Sequence, residues 1–174
     1  DFVLHNFHYK WNWYNLSRNK NITWDIVQKY NDTSVYKWNF RGLSENINIT
    51  WEIIKNNIDE LWDWYKLSKK ESITLDIIQN NINYSWDYDG LSLNPNITWA
   101  FIIQNLNKSW NWFHLSYHPN ITWKIIQANP LQDWDWFGIS KNPNITWDIV
   151  YNNNTLPWNW SYLSENNNIT TGII

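Results

Sequence analysis

His114 and His118 stand four residues apart, a spacing that puts two imidazoles on one face of a helix and can hold zinc. The pair occurs once and no third ligand accompanies it, so no metal is expected. His5 and His8 form a weaker pair. Asp87 and Asp89 are close enough for acid–base work, but Asp87 shares its place in a repeat with Asp63, Asp135 and several Asn. That pattern suits a helix start better than a catalytic dyad. Ser17, Ser44, Ser68, Ser92, Ser116, Ser140 and Ser164 recur once per repeat. A nucleophile is not normally copied seven times, so these read as structural hydroxyls. The chain has no Gly-rich phosphate loop and no G-x-S-x-G elbow. No enzyme and no cofactor are expected. Sequons recur at Asn21, Asn48, Asn96, Asn120, Asn144 and Asn168. They read as a by-product of Asn turns and Thr caps, since glycosylation needs exposure as well as the motif.

The elements that hold these residues follow from the tryptophans. All seventeen Trp fall at three phases of a 24-residue repeat. Repeats opening on a leading Trp span 11–37, 38–61, 62–85, 86–109, 110–133, 134–157 and 158–174, and residues 1–10 match the end of a preceding one. The first repeat carries three extra residues within Asn31–Lys37. Asp1-Phe2-Val3 matches Asp148-Ile149-Val150, the chain ends at a similar phase, and Met is absent. The expectation is a window on a longer array or a processed product. A fixed period of this length predicts a stacked, quasi-one-dimensional fold, here a single array over 1–174.

Each repeat reads as two short helices. Thr122-Trp123-Lys124-Ile125-Ile126-Gln127 begins with a capping Thr and continues with an apolar Ile pair. Acids near the start in other repeats (Asp25, Glu52, Asp76, Asp148) suit the helix dipole. Asn57, Asn81, Asn105, Asn129 and Asn153 close this helix, a place where Asn tolerates the left-handed conformation. The other helix runs from the leading Trp through Leu-Ser, with Ser85, Ser109 and Asp133 as expected caps and Pro157 in a first turn. Trp136 and Ile139 share a side of it. Asn19, Asn46, Asn94, Asn142 and Asn166 follow, and Pro95, Pro119 and Pro143 stop it. Helices this short need packing to persist. Each buried Trp removes roughly 150–250 Å² from water, so the Trp ladder reads as a packing spine. The expected fold is all-α, an α-solenoid of seven two-helix repeats. A leucine-rich-repeat-like solenoid is the alternative, though the Leu three residues after Trp-x-Trp breaks strand alternation.

Gly42, Gly90 and Gly138 occupy one phase in every second repeat, where Asn15, Lys66, His114 and Tyr162 stand in the others. Close backbone approach at each Gly would explain this, as would an older duplication.

The net charge is −3 with no basic run, which disfavours nucleic acid. No apolar run is long enough to cross a membrane, so no membrane insertion is expected. Absent Cys excludes disulfides and Cys-based metal sites.

The stretch Trp134-Asp135-Trp136-Phe137-Gly138-Ile139-Ser140-Lys141-Asn142-Pro143-Asn144-Ile145-Thr146-Trp147-Asp148-Ile149-Val150 resembles the Trp-rich tandem repeats encoded by giant, nucleocytoplasmic large DNA viruses. The likeness covers nearly the whole chain. Departures are Leu75 and Thr171 for the second-motif Trp, and Phe40 and Tyr88 two residues into their repeats; Gly172 follows Thr171. The resemblance implies a viral origin, in the virion or the infected host's cytoplasm, and carries no established activity. The abundance of Asn, Ile, Lys and Tyr, whose codons are AT-rich, agrees with it.

Function is expected at the positions that vary between repeats: Tyr14, Asn15, Arg41, Tyr65, Lys66, Asp89, Phe113, His114, Phe137, Ser161 and Tyr162. Their mix of aromatic and charged groups suits protein recognition, and a tolerant solvent face is the competing reading. The expected function is a non-enzymatic scaffold that binds a viral or host protein. The alternatives are a self-assembling virion component and, less favoured, a glycan-binding surface.

Overall fold

A computed structural model describes residue 6 and residues 9–31 and 37–169. The His5/His8 pair, the Asp1–Val3 register, the insertion between Asn31 and Lys37, and Thr171-Gly172 lie outside the described residues. Contacts group the chain into two compact units, Asp1–Trp86 and Asp87–Ile174.

The described residues form thirteen helices and no strand, which removes the leucine-rich alternative. In the first unit these are α1 (Trp13–Ser17), α2 (Trp24–Lys29), α3 (Phe40–Leu43), α4 (Trp51–Asn56), α5 (Trp64–Ser68) and α6 (Leu75–Asn80). In the second they are α7 (Tyr88–Leu91), α8 (Trp99–Gln104), α9 (Trp112–Ser116), α10 (Trp123–Ala128), α11 (Trp136–Lys141), α12 (Trp147–Asn152) and α13 (Trp160–Glu165). The first six repeats thus supply two helices each, as the period predicts, and the described part of the seventh supplies one. No described helix is long and apolar enough to cross a membrane.

The first helix starts two residues later than the pattern suggests. Its cap is the Asn or Asp after the leading Trp: Asn111 accepts the His114 N–H at 3.1 Å and Asp135 accepts the Gly138 N–H at 2.8 Å. Ser85, Ser109 and Asp133 are therefore not the caps, and Pro157 lies outside the helix. The leading Trp stays in the connection because its indole is needed elsewhere. The second helix begins as expected. Thr50, Thr74, Thr98 and Thr122 accept the N–H three residues on, while Thr23 and Thr146 make no such bond.

The closing Asn does not enter the left-handed region; no described non-Gly residue has positive φ. It works through hydrogen bonds instead. Asn105 Nδ2 donates to Phe101 O at 2.9 Å, and Asn105 O accepts the Trp110 indole N–H at 2.9 Å. The same pair of bonds recurs at Asn57 with Trp62, Asn81 with Trp86, Asn129 with Trp134, and Asn153 with Trp158. Its side chain ends the helix, and its backbone carbonyl ties down the next Trp.

The tryptophans pack in a herringbone. In the first six repeats the aromatic residue opening the first helix meets the next leading Trp edge to face: Phe40 with Trp62 at 5.0 Å, Trp112 with Trp134 at 5.1 Å, Trp136 with Trp158 at 5.1 Å. The second-motif Trp lies against the same leading rings at a shallower angle, as Trp51 on Trp86 and Trp123 on Trp158. Such pairs add about 0.5–1.5 kcal/mol each beyond area burial. Beneath them runs an aliphatic core with one Leu or Ile from each first helix, the Ile before Thr, and the second Ile or Val of each second helix, such as Leu43, Ile49 and Ile54.

Serine is structural. Ser116 Oγ donates to Trp112 O at 2.6 Å and accepts the Asp135 N–H at 2.8 Å, linking one repeat to the next. The residue two positions further on makes the stronger link. Asn142 is fully buried, and its Nδ2 donates to Ser116 O (2.9 Å), Ile121 O (2.9 Å) and His118 O (3.4 Å) of the preceding repeat. Its amide oxygen accepts the Asn144 N–H at 2.7 Å. Asn46 repeats the pattern on Ser17 O, Asn19 O and Ile22 O. This buried amide ladder satisfies carbonyls that short helices leave unpaired. A second Asn lies beside it: Asn120 donates to Pro95 O and Ile97 O, and Asn144 to Pro119 O and Ile121 O. These are sequon residues, and the nitrogen a glycan would need is already engaged.

The alternating Gly has a steric basis. A Cβ on Gly42 would sit 2.5 Å from Tyr14 O, and one on Gly138 would sit 2.6 Å from Phe113 O and 2.7 Å from Ser116 Cβ. The closest first-helix pairs are α1 with α3, α9 with α11, and α11 with α13. The last pair carries Tyr162 at the Gly phase, so close packing does not require Gly everywhere. Gly138→Ala is expected to lower stability by about 1–3 kcal/mol in urea titration, because backbone must move.

Candidate functional site

The variable positions lie on successive first helices, at residues whose neighbours Leu and Ser face the core. Asn15, Arg41, Phe113, Phe137 and Ser161 are exposed; Tyr14, Tyr65, Lys66, Asp89, His114 and Tyr162 are half-buried. The fold therefore brings the predicted residues of each unit to its first helices, but they meet in two different kinds of cluster.

The cluster of the first unit is ionic. The Tyr14 hydroxyl accepts from Lys66 Nζ at 2.6 Å and donates to Glu45 Oε1 at 2.6 Å, and Lys66 also contacts Glu45 directly. Lys66 Nζ lies 4.7 Å from the centre of the Tyr14 ring. Arg18 pairs with Glu45 at 3.2 Å and Arg41 with Asp63 at 3.0 Å. Burial, then the nearby Arg41 and Arg18, hold the Lys66 ammonium below its ordinary pKa. Tyr65 takes the Lys69 ammonium 4.7 Å from its ring centre. Asn15 uses its backbone N–H on Asn12 and presents its side chain outward.

The cluster of the second unit is aromatic. His114 stands between Phe113 and Tyr117, with ring centres 5.7 and 5.8 Å away. Its Nδ1 is 3.0 Å from Asp89 Oδ1, an ion-pair distance, but its direction does not make a hydrogen bond. Phe137 meets Tyr162 edge to face at 5.9 Å, and Lys141 Nζ lies 5.0 Å from the Tyr162 ring centre.

His118 does not join His114. It is buried in the ladder, at the place Asn142 holds one repeat later, with both ring nitrogens facing backbone groups. No metal-holding group of three His, Cys, Asp or Glu occurs among the described residues. Its Nε2 pairs with Asn94 O at 2.9 Å and its Nδ1 accepts the Asn120 N–H at 3.2 Å. In the first unit Lys70 takes the same place, donating to Asn46 O and Ile49 O, and burial pulls its pKa down to about 8.

Sequence reasoning passed over Arg18, Glu45, Lys69, Tyr117 and Lys141. All five share a single variable phase, one residue before the ladder residue, and that variation was the signal.

A cleft of about 350 Å³ opens elsewhere in the second unit, bordered by Trp123, Gln127, Pro130, Trp134, Trp136 and Leu156. Beside Pro130, Trp134 is half-exposed, whereas Trp62, Trp86, Trp110 and Trp158 are buried. The cleft lining carries amides and no charge.

Comparison with family models, curated proteins and solved structures yields no match.

Proposed function

We propose that the chain is a non-enzymatic repeat scaffold that binds a viral or host protein through the first-helix face of its repeats. The observation that carries this reading is the aromatic cluster of the second unit, where Phe113 and Phe137 remain 37% and 53% exposed on adjacent repeats. Most Trp, Leu, Ser and Asn at the recurring phases are taken up by packing and hydrogen bonds, while these two large rings keep a substantial exposed face. Exposed aromatics beside charged side chains match the composition of binding surfaces. The resemblance to giant-virus arrays supports a viral origin and a place in the virion or the infected cell.

A photo-crosslinking residue placed at Phe113 or Phe137 is expected to capture a discrete partner in infected cells. The same residue at Lys124, exposed on a second helix, is expected to capture none. Equal capture at all three sites contradicts the reading. Crosslinks only between copies of this chain favour the alternative, a virion structural component.

A further inference from the structure

We propose that His118 is a proton-sensitive rung, at which mild acid breaks the buried ladder of the second unit. The geometry fixes one neutral form of the ring. Nδ1 faces the Asn120 N–H and must accept, so it carries no proton, and Nε2 faces Asn94 O and must donate. A second proton has to go to Nδ1. There it meets an N–H donor, and the Asn120 bond is lost.

The slot offers the new charge no relief. His118 is 2% exposed. Around it stand Asn94 of the preceding turn, Asn120 of its own and Asn142 of the following one, none of which titrates. The titratable groups on the neighbouring first helices are engaged elsewhere: Asp89 with His114, and Lys141 over Tyr162. Burial lowers the His118 pKa from its ordinary value, the Asn94 bond opposes this in part, and no charged group contributes.

The sign follows. Below the ordinary histidine value of about 6.5 the unfolded chain takes the proton before the folded one, so it binds more protons and stability falls as pH falls. The loss spreads along the ladder, because Asn142 Nδ2 and the Ile121 N–H both bond to His118 O. Asn94, Asn142 and Asn166 show that the ladder accepts a residue that cannot titrate at this phase.

The test compares thermal melts of the full chain and of His118→Asn at about pH 7.5 and about pH 5.5. The wild type is expected to lose about 2–5 °C more than His118→Asn between the two. His114→Asn is expected to keep the wild-type loss. Equal losses in wild type and His118→Asn, or a loss removed by His114→Asn, overturn the proposal. Long-range ¹H–¹⁵N spectra of the wild type test it without a variant. They are expected to show His118 with its proton on Nε2 and neutral while the fold persists. A proton on Nδ1, or an ordinary titration with the fold intact, overturns it.

Discussion

Asn142→Leu is expected to cost about 4 kcal/mol, a loss outside the common range for one substitution. The leucine fills the volume, but Ser116 O and the Asn144 N–H lose their partner, and His118 O and Ile121 O each lose one of two, keeping the Ile121 N–H and Asn144 Nδ2. An unpaired buried group costs roughly 1–3 kcal/mol, and the simple sum overshoots because the turn can relax. Asn144→Ala provides the comparison. It also removes two bonds to the preceding repeat, to Pro119 O and Ile121 O, but at a half-buried edge that water can reach. It should cost about 1 kcal/mol. Urea titrations followed by Trp fluorescence read both. Equal costs would mean that the ladder is not what joins the repeats.

Trp110→Ala should cost about 3–5 kcal/mol. Trp110 is buried, stands edge-on to Tyr88 at 5.0 Å and to Phe101 at 6.1 Å, and donates its indole N–H to Asn105 O. Trp110→Phe keeps most of the ring contact and loses the bond, so about 1–2 kcal/mol is expected. Small domains hold only about 5–15 kcal/mol in total, so the Ala variant should approach the edge of folding while the Phe variant remains native by circular dichroism. A Phe variant as damaged as the Ala variant would place the cost in the hydrogen bond and not in the packing.

These two sites show what the sequence could and could not reveal. The period, the helical class, the structural Ser and the Thr caps were legible because each is a local pattern repeated many times. The start of the first helix was misplaced for a local reason. Ser85 and Ser109 precede an apolar Trp and look like caps, but Trp86 and Trp110 give their indole N–H groups to Asn81 and Asn105, which holds them outside the helix. The Asn or Asp that follows then caps. The left-handed closing Asn was a reasonable use of that residue, yet its amide reaches back to the fourth carbonyl and makes the unusual backbone unnecessary.

The ladder was hidden because its bonds run between repeats, 21 to 26 residues apart at Asn142. Its trace in the sequence was the substitution pattern. Lys70 and His118 replace Asn at that phase, and what the three share is a nitrogen that can donate to a carbonyl. The same fact gives His118 a structural place despite its zinc-like spacing from His114. The candidate face was legible as variation, but its division into an ionic cluster around Glu45 and an aromatic one around Phe137 depends on which variable residues become neighbours across repeats.

Recurring phases hold the fold, and the exposed variable side chains add little to it. A thermal melt of the triple variant Arg41→Ser, Phe113→Ser, Phe137→Ser tests this most directly. All three side chains are exposed, so the variant should melt cooperatively within about 3 °C of the wild type. A loss as large as that of Asn142→Leu would show that the variable face is part of the framework, and would contradict the account.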